Sequence, residues 1–238
     1  SWTIPDAISN TVRVRVSDAA DSRAKDTSDG NFKIRGAITV TAPNGGEAWG
    51  INNNYDITWT IVGSIATVKL EYSTNGFADE TETYLIASAV DASLGTPYSW
   101  LVPEPATTTA KVRITNEADS TVYDVSNNTF KIQGSLFLTA PDGGEVWIVG
   151  DTQNITWDMF GGIANVELRY STDSGSTWPV GNIIISSTDA SNGSYSWTIP
   201  DAIGTALRVK ITDANDTSVY DTSAGDFTIK GSVTVGSP

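Results

Sequence analysis

Thr139 to Trp147 reads TAPDGGEVW, and Thr41 to Trp49 reads TAPNGGEAW. A phrase repeated this closely at an offset of 98 within one chain marks a duplicated structural unit, so the period has to be established before any residue is read locally. The same offset of 98 pairs Trp59 with Trp157 in "ITW" and Tyr72 with Tyr170 in "YST". After one deletion it becomes 97 for Trp100 and Trp197, Pro103 and Pro200, Asp124 and Asp221, and Phe130 and Phe227. The opening residues join this register, since "SWTIPDAI" at Ser1 to Ile8 returns at Ser196 to Ile203.

The repeat divides the 238 residues into four stretches. Residues 1–36 match the C-terminal part of a repeat, 37–134 and 135–231 are complete repeats, and 232–238 match the first strand of a following one. We therefore expect a window from a longer tandem array, or a subunit whose ends are completed by neighbouring chains.

Within each repeat, short alternating runs are separated by Gly, Asn, Asp and Pro clusters, the pattern of half-buried antiparallel strands. In the second repeat Leu136 and Leu138 face inward on one run, and Ile155, Trp157 and Met159 on the next. Val166, Leu168 and Tyr170 alternate with Glu167 and Arg169; Leu207, Val209 and Ile211 alternate with Arg208 and Lys210. With Ile183–Ile185, Tyr195 with Trp197, and Phe227 with Ile229, seven runs emerge. No helical period competes. The expected fold class is all-β: tandem seven-stranded immunoglobulin-like or fibronectin III-like antiparallel sandwiches in a semi-rigid rod. In residues 1–36 three strands are expected, near Trp2–Ile4, Val12–Val16 and Phe32–Ile34, with an apolar face that needs cover.

Composition excludes several functions. Fourteen Lys and Arg against 28 Asp and Glu give a net charge of −14, which argues against nucleic acid or anionic lipid as partner. No stretch approaches the roughly 20 apolar residues of a membrane span, so no membrane insertion is expected from this segment. With neither Cys nor His, disulfides, thiol catalysis, the usual zinc sites and the commonest general base are all missing. We expect no enzyme, no catalytic residue and no resident cofactor.

One cation remains chemically reasonable. Asp213, Asn215, Asp216 and Asp221 crowd the loop before the last strand, with Asn116, Asp119 and Asp124 in the first repeat and Asp18, Asp21 and Asp26 in the partial one. An all-oxygen donor set suits Ca²⁺, although the spacing matches no EF-hand. The alternative is a set of Asx-turns that start the final strand. Asp142 and Glu145 form an acidic pair, but inside a Gly-Gly turn, which accounts for them without a glycosidase cleft. Trp59, Trp157, Trp100 and Trp197 are expected in the core, whereas Trp49, Trp147 and Trp178 lie near loops where a ring could stack on a sugar. Asn127, Asn154, Asn192 and Asn215 begin N-x-[ST] sequons, relevant only in a host that glycosylates them.

The ordered motifs P-[ND]-G-G-E-x-W, ITW, YST, YSW-x-x-P, D-x-S and F-[KT]-I resemble the Kre9/Knh1-like, Ser/Thr-rich surface module repeated in bacterial secreted and cell-surface proteins. The resemblance spans both complete repeats and the partial ends. It implies an extracellular or cell-surface sandwich module and brings no catalytic residues. A local stretch, STDSGSTW at Ser171 to Trp178, is similar to the Asp-box turn of sialidase propellers. That likeness implies a structural hairpin in which Ser171 and Asp173 bond the turn, Gly175 takes positive φ and Trp178 packs beneath. The first repeat reads STNGFADE there, which suggests that the box is lost. Together these readings lead us to expect a stalk, spacer or filament backbone whose partners are neighbouring repeats or copies of itself. An adhesin or a carbohydrate-binding accessory, with surface glycans as partner, is the alternative.

Overall fold

The computed structural model describes residues 1–92 and 97–236. The opening segment holds β1 (Ser9–Val12), β2 (Arg15–Ser17), β3 (Lys25–Thr27) and β4 (Phe32–Ile34). The first repeat contributes β5 (Ala37–Ala42), β6 (Ala48–Gly50), β7 (Asn54–Val62), β8 (Thr67–Ser73), β9 (Thr83–Asp91), β10 (Tyr98–Leu101), β11 (Thr107–Asn116), β12 (Tyr123–Val125) and β13 (Phe130–Gln133). The second contributes β14 (Ser135–Ala140), β15 (Val146–Ile148), β16 (Thr152–Phe160), β17 (Asn165–Ser171), β18 (Ile183–Asp189), β19 (Ser194–Thr198), β20 (Gly204–Asp213), β21 (Tyr220–Thr222) and β22 (Phe227–Lys230). The described residues contain no helix long and apolar enough to cross a membrane.

These strands gather into two compact units. One takes in Ser1–Trp49, Asn54–Leu101 and Thr107–Lys131; the other takes in Gly50–Asn53, Val102–Ala106 and the chain from Ile132 onward. Each contains a three-stranded sheet, β10-β7-β5 or β14-β16-β19, and a larger one, β6-β13-β11-β8-β9 or β15-β22-β20-β17-β18, with β12 or β21 added on β11 or β20. Two layers over one core, antiparallel apart from the short β15 on β22, make each an immunoglobulin-like or fibronectin III-like sandwich.

Alternation along the strands builds the core. In the second unit Ile155, Trp157, Val166, Leu168, Val209, Ile211, Phe227 and Ile229 are buried together. Ile57, Trp59, Val68, Leu70, Val112, Ile114, Phe130 and Ile132 occupy the same positions of the first repeat and are buried as well. Trp100 and Trp197 are also buried, as their place on alternating strands predicts.

Three expectations need correction. Trp49 and Trp147 are core residues at 7% and 8% exposure, not loop residues. They sit on the short β6 and β15, of which β15 runs parallel to β22. Trp147 lies 6.0 Å from Trp197 and 4.9 Å from Phe227, and Trp49 lies 6.0 Å from Trp100 and 5.0 Å from Phe130. Each repeat carries two further three-residue strands beyond the seven runs, β6 and β12 or β15 and β21, too short to show a period. In residues 1–36 the strands are β1 to β4, while Trp2–Ile4 lies outside any strand, with Trp2 at 58% and Ile4 at 62% exposure.

Candidate functional site

The acidic residues converge on the backbone rather than on one another. Asp221 Oδ2 on β21 accepts from the Leu138 amide of β14 at 2.7 Å, and Asp124 Oδ2 on β12 accepts from the Val40 amide of β5 at 2.8 Å. β14 leaves its regular register on β16 between Leu138 and Ala140, and β5 leaves its register on β7 between Val40 and Ala42. At that break the amide turns away from its own sheet, and the carboxylate of the opposite sheet receives it. The serine of each D-x-S motif works beside it. Ser126 Oγ accepts from Val112 N at 3.1 Å and donates to Pro43 O at 2.7 Å, while Ser223 Oγ accepts from Val209 N at 3.0 Å.

The other members of the acidic loop close turns. Asp213 Oδ1 accepts from Asn215 N at 2.8 Å, and Asp216 Oδ1 accepts from Ser218 N at 3.1 Å and from Ser218 Oγ at 2.5 Å. Asn116 and Asp119 repeat this with Ala118 N at 3.0 Å and Thr121 N at 3.1 Å. Asp213, Asp216 and Asp221 are thus near in sequence but aimed at separate backbone donors, and Asn215 supplies the amide that Asp213 receives. Among the described residues no three His, Cys, Asp or Glu side chains group as a metal centre would need.

The Gly-Gly-Glu motif has an equally local task. Glu145 accepts from Asp142 N at 2.8 Å and from Gly143 N at 2.9 Å, while Asp142 Oδ1 accepts from Ala224 N at 2.7 Å. Glu47 accepts from Asn44 N and Gly45 N, both at 2.7 Å, and Asn44 Oδ1 accepts from Asn127 N at 2.7 Å. The acidic pair therefore docks one turn against the loop that precedes the last strand.

The hairpin after β17 is closed by side-chain bonds to its own backbone and hydroxyls. Ser171 Oγ donates to Asp173 Oδ1 at 2.5 Å and accepts from Gly175 N at 2.9 Å. Asp173 Oδ1 accepts from Thr177 N at 2.9 Å and its Oδ2 from Thr177 Oγ1 at 2.6 Å. Gly175 has φ +80°, and a Cβ there would meet Trp178 Cζ2 at 3.3 Å. The Ser171 hydroxyl first, then Thr177, hold the Asp173 carboxyl down to about 2. The first repeat keeps more of this turn than its letters suggest. Ser73 Oγ donates to Asn75 Oδ1 at 2.6 Å and accepts from Phe77 N at 3.0 Å, and Phe77 adopts φ +61° where Gly175 stands.

Asp173 titrates below the ordinary Asp value of about 3.9, so its bonds stabilise the folded state above that value and are lost as pH falls towards about 2. Asp173→Asn should therefore lower the urea midpoint at pH 7, and the gap from the native chain should narrow progressively between pH 4 and pH 2. A gap unchanged over that range would refute the assignment.

The outer faces of the larger sheets hold paired charges. Arg113 bonds Glu80 at 2.8 and 3.0 Å and Glu71 at 3.1 Å, and its guanidinium lies 4.6 Å from the Phe77 ring. A depression of about 270 Å³ beside Tyr123 is lined by Arg113 and Glu71 together with Lys69, Thr115 and Ser120. In the second unit Arg169 bonds Glu167 through Nη2 at 3.0 Å, and Lys210 Nζ lies 4.1 Å from the Tyr220 ring and 6.0 Å from that of Trp178. A cation therefore already lies over Phe77, Tyr220 and, at the longer distance, Trp178.

A carboxylate after the proline of W-x-x-P recurs as an acceptor. In the first unit Asp6 accepts from Ser64 N at 3.0 Å and Ser64 Oγ at 2.6 Å; in the second, Glu104 accepts from Gly161 N at 3.0 Å. The Ser64 hydroxyl, then its amide, lower the Asp6 pKa. The sequence reading missed this pair, although its signal was present: an acid at both positions.

No protein-family model matches the chain, and no curated protein matches it. Among solved structures, the fibronectin(III)-like modules of CbhA from Clostridium thermocellum align with 82% of this chain and 94% of their own at 19% identity and a TM-score of 0.30. The tandem Ig repeats of Dlar align with 83% of this chain and 100% of theirs at 13% identity and a TM-score of 0.27. The titin domains Z1Z2, solved with telethonin, align with 83% of this chain and 98% of theirs at 13% identity and a TM-score of 0.23. By its own strand order, the chain holds tandem immunoglobulin-like or fibronectin III-like sandwiches.

Proposed function

We propose that the chain is a non-catalytic, structural repeat segment of a long extracellular or cell-surface protein, serving as a stalk, spacer or filament backbone. One observation carries the reading: the polar residues repeated between the modules serve the module itself. Asp124 and Asp221, Glu47 and Glu145, Asn44 and Asp142, and Ser126 and Ser223 all hold backbone at equivalent positions. A repeat under selection for catalysis would keep carboxylates facing a cleft; this one keeps them facing amides. The motif order that resembles the Kre9/Knh1-like surface module supports an outside location, and the net charge of −14 would keep neighbouring copies apart in solution.

Force spectroscopy tests the mechanical part. Each complete repeat should unfold as one event that lengthens the chain by about 30 nm, the extended length of some 97 residues less the folded module. A single event, or no force peak, would oppose a load-bearing role. For the acidic loops we propose the same structural duty in place of a Ca²⁺ site. The melting temperature should then agree within about 1 °C between EDTA and millimolar Ca²⁺, since a ligand that binds the folded state well below that concentration shifts it by several degrees.

A further inference from the structure

The second unit contains a groove of about 410 Å³ on the open side of its sandwich. Tyr170, Ile183 and Ile184 line it from the larger sheet, and Ser196, Trp197 and Thr198 from β19 of the smaller one. Among the described residues β18 and β19 are each the last strand of their sheet, so two open edges meet there. In the first unit Tyr84 stacks on Tyr72 at 5.1 Å, whereas the residue at the position of Tyr84, before Ile183, is Asn182. An aromatic lid of one repeat is replaced by a small amide in the other.

The free edge of β19 carries a defined set of backbone groups. Trp157 N bonds Gly193 O at 3.0 Å and Ile199 N bonds Asp151 O at 2.9 Å, which fixes the alternation between them. Odd-numbered residues face β16; Ser194, Ser196 and Thr198 therefore turn their N–H and C=O groups outward. Ser194, Ser196 and Thr198 are exposed, and none is a Lys or Pro of the kind that blocks strand addition. Side chains of an added strand at the level of Tyr195 and Trp197 would enter the groove against Tyr170 and Ile184. The groove lining is uncharged and reaches Pro200, next to which stand the exposed Asp201 and, through the bond of its carbonyl to Ile199 N, the exposed Asp151.

We propose that this edge binds an extended peptide that adds to β19 as a further strand, with small apolar side chains at alternate positions and a basic residue at the end next to Asp151 and Asp201. Backbone bonds to Ser196 and Thr198 provide the pairing, the groove selects the alternate side chains, and the acidic end sets orientation. Trp197 is nearly buried, so its ring face is not offered to a sugar.

The probe is the capped heptapeptide Lys-Val-Thr-Val-Thr-Val-Lys, titrated against the whole chain and followed by tryptophan fluorescence. Saturable binding is expected, weakened at least about tenfold when the peptide's alternate amides are N-methylated, because each lost hydrogen bond costs near a factor of ten. Ser196→Pro, which removes one outward N–H at an exposed edge position, should weaken binding similarly with the thermal melt retained. No saturation at millimolar peptide, or equal affinity for the N-methylated probe, would overturn the proposal. So would a concentration-dependent dimer, seen in sedimentation and abolished by Ser196→Pro, since it would assign the edge to a second copy. If Ser196→Pro does not fold, the N-methylated peptide alone decides.

Discussion

Asp221→Ala is expected to destabilise the second unit by about 2–3 kcal/mol, the combined loss of a charge-assisted hydrogen bond and stranding of a buried amide. The amide is that of Leu138, a residue of 6% exposure whose N–H points to the carboxylate and not to β16. Asp124→Ala should act to a similar extent on the first unit through Val40. In urea each substitution should shift the transition of its own sandwich and leave the other's in place. Asp221→Asn, which keeps an oxygen and loses the charge, should cost about half as much. Asp26→Ala is the control: it stands at the same repeat position on the exposed β3 and should change the midpoint by less than about 0.5 kcal/mol. An Asp221→Ala midpoint equal to the native one would remove the carboxylate from the structural role assigned to it.

That contrast also shows what the letters could and could not convey. Long strands were legible because alternation over β7, β8, β11 and their partners in the second repeat is written in Ile, Val, Leu and Trp, and a period of two admits one buried face. Trp49 and Trp147 were not, since each follows a Gly-Gly-Glu turn and sits on a strand of three residues, too short for a period to appear. The acidic loop presented oxygen donors at close spacing, which composition cannot divide between a cation and the backbone. The discriminating sign was subtler. The D-x-S spacing recurs unchanged, while Asn116 and Asp213 exchange amide for acid, a substitution that an amide-accepting turn tolerates. Phe77 shows the opposite limit. A bulky residue at positive φ is disfavoured by local sterics, and only the tertiary structure supplies the guanidinium of Arg113 against its ring.

Gly143→Ala should be among the most damaging single substitutions in the second unit, at about 3 kcal/mol or more. Two independent effects combine. The residue holds φ +127°, a conformation that L side chains rarely adopt and that costs on the order of 1–3 kcal/mol. A Cβ there would also lie 2.7 Å from Gly225 Cα, and that atom is backbone with no rotamer by which to withdraw. The contact exists because the turn and the loop before β22 are tied by Gly225 N to Asp142 O at 2.8 Å and Gly144 N to Asp226 O at 2.9 Å. Gly144→Ala separates the two effects, for it shares the positive φ at +87° but would meet nothing within 4 Å. Its cost should be near 1 kcal/mol, and the difference between the two variants measures the clash. If both cost the same, backbone conformation alone explains the Gly-Gly pair. If Gly143→Ala costs the larger amount, the first glycine of P-[ND]-G-G-E-x-W is set by the approach of two backbones, and the motif is a docking surface of the sandwich on itself.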